Sequence, residues 1–131
     1  MFLPLIRMLA VGPLFAMAFN CRAEPTNDYS KEFRDCIEKA EGMTYAIQEC
    51  QSNETILQES RLNTAYKHAT KKLTAERSKE LKEVQSLWLR YRTANCRFRV
   101  NYGASGDKLD SEYCWIDMTI FRTKDLDRIS D

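Results

Sequence analysis

The chain has 131 residues, 44% hydrophobic and 30% charged, with 20 Lys and Arg against 19 Asp and Glu, a formal net charge of +1. That is one domain's length, and four glycines with three prolines argue against an all-β sandwich and for helices. The balanced charge points to neither nucleic acid nor an anionic membrane, which leaves the five cysteines as the feature to explain.

The first segment reads as a leader and not as part of the fold. Arg7 is the only charge before an apolar run from Met8 to Phe19, well short of the ~20 residues that span a bilayer. Pro4, Gly12 and Pro13 make a poor helix interior. A basic start, an apolar centre and small residues after it fit a secretory signal peptide over residues 1–23, with 24–131 as a single mature domain. Ala16-Met17-Ala18 and Cys21-Arg22-Ala23 both offer cleavage sites. Asn20 before Cys21 does not suit lipid attachment, so no stable membrane anchor is expected. Cleavage after Ala23 removes Cys21 and leaves an even set, Cys36, Cys50, Cys96 and Cys114. In an oxidising compartment four cysteines imply two disulfides. No CxxC is present and no His lies near a pair, so zinc, thioredoxin-like and haem chemistry are not expected, and no metal or cofactor is.

From Asp28 the pattern turns helical: Tyr29, Phe33, Cys36 and Ile37 share one face. Gly42 interrupts, and Thr44 begins a long helix in which Ile47 and Cys50, then Leu62, Tyr66, Ala69 and Leu73, keep helical spacing. Gln51 to Glu59 between those clusters is mostly polar and is expected to be solvated. No Gly or Pro occurs between Gly42 and Gly103, and one uncapped helix of that length is atypical of a compact domain. A break is therefore expected near Leu73 to Ser78, with Thr74 or Ser78 as N-cap. The next helix carries Leu81, Val84, Trp88 and Tyr91 on one stripe, with Cys96 after it. Asn101 to Glu112 reads as the clearest loop. A last helix follows, with Tyr113, Ile116, Ile120 and Phe121 as its apolar contacts. The expected fold is all-α, a small bundle of three to four helices stapled by two disulfides.

The cysteine spacing bears on that fold. Cys36 and Cys50 straddle Gly42, and Cys96 and Cys114 straddle Gly103 to Gly106. Residues as far apart as Cys36 and Cys50 would be about 21 Å apart in one continuous helix, whereas a disulfide needs Cα atoms within roughly 7 Å. A Cys36–Cys50 bridge thus requires a reversal at Gly42, and a Cys96–Cys114 bridge one at Gly103 to Gly106. Three connectivities are open; the local one agrees with both turns.

The second half carries an ordered set of motifs: Leu62-Asn63-x-x-Tyr66, Gln85-x-x-Trp88-x-x-Tyr91-Arg92, Cys96, then Gly103, Gly106, Cys114, Thr119, Arg122 and Leu126. With Cys36 and Cys50 upstream, the chain resembles the LprI-like lysozyme inhibitor domain family from about Cys36 to Leu126. Where the family carries an acidic residue and Met just before its second cysteine, this chain has Ala46 and Ile47. The resemblance implies a small, helical, exported bacterial protein and a protein partner, lysozyme being the named one. Trp88, Tyr91, Tyr66 and Leu62 read as core residues. Asn63, Thr119 and Arg122 read as hydrogen-bonding helix ends or the 101–112 loop, and Arg92 as pairing with a carboxylate.

An enzyme is not expected. His68 is the only histidine and lies among Lys67, Lys71 and Lys72 without a nucleophile beside it, and no phosphate-binding glycine loop occurs. An exported inhibitor of lysozyme-type hydrolases needs a constrained segment that fits a cleft holding two carboxylates. The Asn101 to Glu112 loop meets that description if Cys96–Cys114 staples its base. Ser105 and Lys108 would supply donors, Tyr102 contact area, and Asp107 lies in the same loop. The alternative is a periplasmic scaffold or immunity module that uses its polar helical faces on another protein.

Overall fold

The computed structural model describes residues 28–100 and 107–131, which form four helices. They are α1 (Lys31–Lys39), α2 (Thr44–Lys72), α3 (Ala75–Val100) and α4 (Asp107–Ser130), and no strand occurs among the described residues. The expected signal peptide, and Tyr102 and Ser105 of the expected loop, lie outside the described residues.

Local chemistry sets each boundary. Ser30 caps α1, its hydroxyl accepting from the Phe33 amide at 3.0 Å, which satisfies one of the helix's free N–H groups. The chain leaves α1 through two residues in the left-handed region, Glu41 at φ 46° and Gly42 at φ 79°. Glycine takes that conformation freely; Glu41 holds it at a steric cost. Thr74 caps α3, its hydroxyl accepting from the Arg77 amide at 3.3 Å. Ser78 ties the same turn from the other side by donating to the Thr70 carbonyl at 2.9 Å. α4 begins at Asp107, so the expected loop is shorter than Asn101 to Glu112. Asp110 stands in the first turn of α4, where negative charge is favoured by the positive end of the helix dipole.

Cross-links fix how the helices run. Ser30 meets Glu54 and Cys36 meets Cys50, so α1 lies antiparallel to α2. Gln51 reaches Leu109, Glu59 reaches Trp115, and Leu62 shares a cluster with Leu126, so α4 runs parallel to α2. Cys96 meets Cys114, Arg92 meets Thr119, Gln85 meets Arg122 and Leu81 meets Leu126, so α3 runs antiparallel to α4. α4 packs mainly on α2 and also on α3, whereas α2 and α3 touch little. Both disulfides take the local pairing, with Cα separations of 5.7 Å for Cys36–Cys50 and 5.5 Å for Cys96–Cys114.

Two expectations about faces are corrected. Gln51, Glu54 and Gln58 are fully buried, not solvated. They continue the stripe of Leu62, Ala65 and Ala69 at helical steps, and each finds a partner. Gln51 Nε2 donates to the Leu109 carbonyl at 2.9 Å. Glu54 accepts from the Ser30 amide at 2.9 Å, from the Ser30 hydroxyl and from Gln58 Nε2 at 2.7 Å. On α3 the inward line is Leu81, Gln85, Arg92 and Cys96, all buried, with Trp88 half-buried among them, while Val84 and Tyr91 face outward. Phe121 of α4 is exposed as well. Hydropathy alone mislays these faces because hydrogen-bonded polar residues occupy the inward positions.

The apolar core is small: Leu62, Ala65, Ala69, Leu81 and Leu126, with Tyr66, Leu73 and Trp88 packed against it. It lies at the end where α2 turns into α3. Both disulfides lie at the opposite end, where α2 and α4 begin. Leu126→Ala is expected to cost about 2–5 kcal/mol, read as a lowered urea midpoint. Non-reducing peptide mapping is expected to recover Cys36 joined to Cys50 and Cys96 joined to Cys114; a peptide joining Cys36 to Cys96 or Cys114 would overturn the pairing.

Candidate functional site

Between the apolar end and the stapled end lies a buried polar layer centred on Arg92. Its guanidinium pairs with Glu59 of α2 at 2.7 Å and donates to the Thr119 hydroxyl of α4 at 2.6 Å. Trp88 stands 4.8 Å from it and Trp115 4.0 Å from it, ring centroid to guanidinium carbon. A cation over an aromatic face gains from the ring quadrupole, more so away from water. Trp115 Nε1 also donates to Glu59 at 2.8 Å, and the Thr119 hydroxyl donates to the Trp115 carbonyl at 2.7 Å. Beside this group Arg122 Nε donates to Gln85 at 2.9 Å and its guanidinium lies 5.9 Å from Trp88. Burial lowers the pKa of both arginines; Glu59 opposes the effect at Arg92, and Asp125 at Arg122. Arg92 Nε and Arg122 Nη2 are buried without a hydrogen-bond acceptor, so the indole faces are the main compensation for those atoms.

This layer holds helices together and offers no reacting atom to a substrate. Glu59 and Trp115 escaped sequence reasoning. The signal for Glu59 was its position three and seven residues before Leu62 and Tyr66 on one helical face. Trp115 stands one turn before Thr119 on the same face. Of the motif residues, Leu62 is core, Tyr66 and Trp88 pack against it, and Gln85, Arg92, Thr119 and Arg122 form the polar layer. Asn63 and Tyr91 are exposed, so neither takes the interior role expected of it.

The leader into α1 is pinned independently. The Tyr29 hydroxyl donates to Asp117, and Asp28 pairs with Lys124 at 2.5 Å. Burial, with the Asp117 hydrogen bond and charge behind it, raises the Tyr29 pKa far above its ordinary value. Tyr29, Phe33 and Tyr113 line a shallow groove of about 400 Å³ beside α1. A second, of about 430 Å³, runs along the Cys36–Cys50 bridge past Phe33, Asn53 and Leu57.

The stapled end carries exposed large apolar residues. Met43 and Tyr45 are 61% and 79% exposed, at the N-cap and in the first turn of α2, beside the turn that Glu41 and Gly42 shape and Cys36–Cys50 closes. Lys108 is exposed in the first turn of α4, at the same end of the bundle. Aromatic residues and Met are enriched at protein interfaces, and a stapled base lowers the ordering cost of binding. Sequence reasoning passed over Met43 and Tyr45 because neither belongs to a periodic pattern.

No group of His, Cys, Asp and Glu suited to a metal occurs among the described residues, and none of their helices is long and apolar enough to cross a membrane. His68, Ser60 and Asp127 line one open groove of about 310 Å³, yet no hydrogen bond links them among the described residues. A family model described as lysozyme inhibitor LprI matches residues 36–126. The chain belongs to the LprI lysozyme inhibitor family. No curated protein and no solved structure matches it significantly. The family is described by inhibition of an enzyme and not by a reaction of its own. The match opens at Cys36, a staple, and closes at Leu126, a core residue. The LprI segment thus encloses both bridges and the whole Arg92 layer. Two disulfides also fit an oxidising environment outside the cytosol.

Glu59→Ala would leave the buried Arg92 charge without its carboxylate, and is expected to cost about 2–3 kcal/mol, reduced from a fully buried pair because Glu59 is partly exposed. Thr119→Val is expected to cost about 1 kcal/mol. Urea titration of both variants and their double should give a non-additive sum. Additive losses would mean that the layer is not one network.

Proposed function

We propose that the protein is exported and inhibits lysozyme-type cell-wall hydrolases by direct protein–protein binding, with the stapled end as its contact surface. The observation that carries this reading is the LprI match over residues 36–126. The paired cysteines and the signal-like first 23 residues support export.

The chemistry of the target narrows the contact. A glycoside hydrolase of this type works between two carboxylates in a cleft. A blocker must bring donors to them and displace water. The segment between Cys96 and the first turn of α4 supplies the hydroxyl of Ser105 and the amine of Lys108, with Tyr102 as contact area and Asp107 at its end. Met43 and Tyr45, at the same end, add apolar area beside the cleft. The near-neutral charge of the chain gives little long-range steering, so affinity has to come from contact and from rigidity at the two staples.

The test is a lysozyme turbidity assay with purified, oxidised protein in micromolar excess. Inhibition is expected, and its absence would remove the reading. Ser105→Ala with Lys108→Ala should weaken inhibition by roughly tenfold, and Tyr45→Ala by a similar factor, with unchanged melting temperatures because Lys108 and Tyr45 are exposed. Potency unchanged in both would move the contact away from the stapled end and toward the polar helical faces of a scaffold or immunity module.

A further inference from the structure

α3 carries a second apolar line that its own fold does not use. Val84, Leu87, Tyr91 and Ala94 follow one another at steps of three, four and three residues. This is the a/d repeat of a helix that packs along another helix. Val84, Leu87 and Tyr91 are 48%, 58% and 60% exposed. The line that α3 turns to its own bundle, Leu81, Gln85, Trp88, Arg92 and Cys96, lies roughly 120° away around the helix. A helix that met only water on its outer side would carry polar residues there.

We infer that this stripe pairs with the same stripe of a second copy, antiparallel about a two-fold axis, to give a weak homodimer. Antiparallel pairing sets a positions against d positions. Val84 then meets Ala94 of the second copy and Leu87 meets its Tyr91, each contact made twice and each joining a larger side chain to a smaller one. The flanking charges select a copy over an unrelated helix. Glu83 and Arg97 lie along one edge of the stripe, towards its two ends. The two-fold brings Glu83 of each copy to Arg97 of the other, an attractive pair formed twice. Arg90, between them, falls beside its own mate and opposes the association. The body of each subunit points to the side of the stripe, not across it, so a second helix has access. Val84 to Ala94 spans about 15 Å, so the contact is smaller than the ~800 Å² per partner of a standard interface, and the dimer is weak. The inference stands apart from the inhibitor reading.

Sedimentation velocity of the purified, oxidised protein over a concentration series tests it. A reversible monomer–dimer equilibrium with a midpoint on the order of tens of micromolar is expected. Leu87→Glu and Tyr91→Glu should each abolish it while leaving helix content and melting unchanged. Glu83→Arg should weaken association, and adding Arg97→Glu should restore it, a readout that does not depend on altering an apolar residue. Arg90→Ser should tighten the dimer several-fold. A monomer at every concentration, or a dimer that survives Leu87→Glu, would overturn the inference.

Discussion

A guanidinium keeps its charge inside a protein, and that constraint organises the middle of this one. Arg92 lies buried on α3 and needs a carboxylate, an acceptor and aromatic faces within reach. Glu59 comes from α2, Thr119 and Trp115 from α4, and Trp88 from its own helix. Meeting those needs together sets the axial position of three helices at once. The apolar core could not do this alone. Ala65 and Ala69 form much of the α2 side of that core, and such short side chains resist sliding weakly. Directional contacts, not packing volume, hold the register.

The molecule divides along its length. Hydrophobic burial holds the end where α2 turns into α3. At the other end covalent bonds replace it: two bridges, a buried Glu54 that fastens the Ser30 cap, and few apolar side chains. A chain of this size gains from such staples because its core is thin. The division also suits an inhibitor. Residues such as Met43 and Tyr45 can stay exposed at the stapled end without loss of order there, since they are not asked to close a core.

The helices and their breaks could be read from residues whose local chemistry is decisive. Gly42 stops α1, Thr74 caps α3, and the turn-centred cysteines pair as their spacing indicated. The faces could not be read in full. Gln51, Glu54 and Gln58 look solvated in a one-dimensional pattern, and only the approach of other segments, Leu109 of α4 and Ser30 before α1, covers them. Val84 and Tyr91 misled in the opposite sense, since apolar spacing tells that a face wants covering but not which neighbour covers it. For the candidate site, the pairing of cysteines marked the stapled end, while Tyr45 and Met43 stood outside every periodic pattern and became visible only as exposed surface.

The pairing of Cys36 with Cys50, and of Cys96 with Cys114, bears on how the chain comes to be made. A polypeptide that emerges amino end first presents Cys36 and Cys50 to each other before Cys96 has appeared. Once that bond closes, Cys96 and Cys114 meet with Cys36 and Cys50 already taken. Such sequential timing favours the local connectivity by order of arrival, and lessens the demand on thiol exchange to repair scrambled bonds.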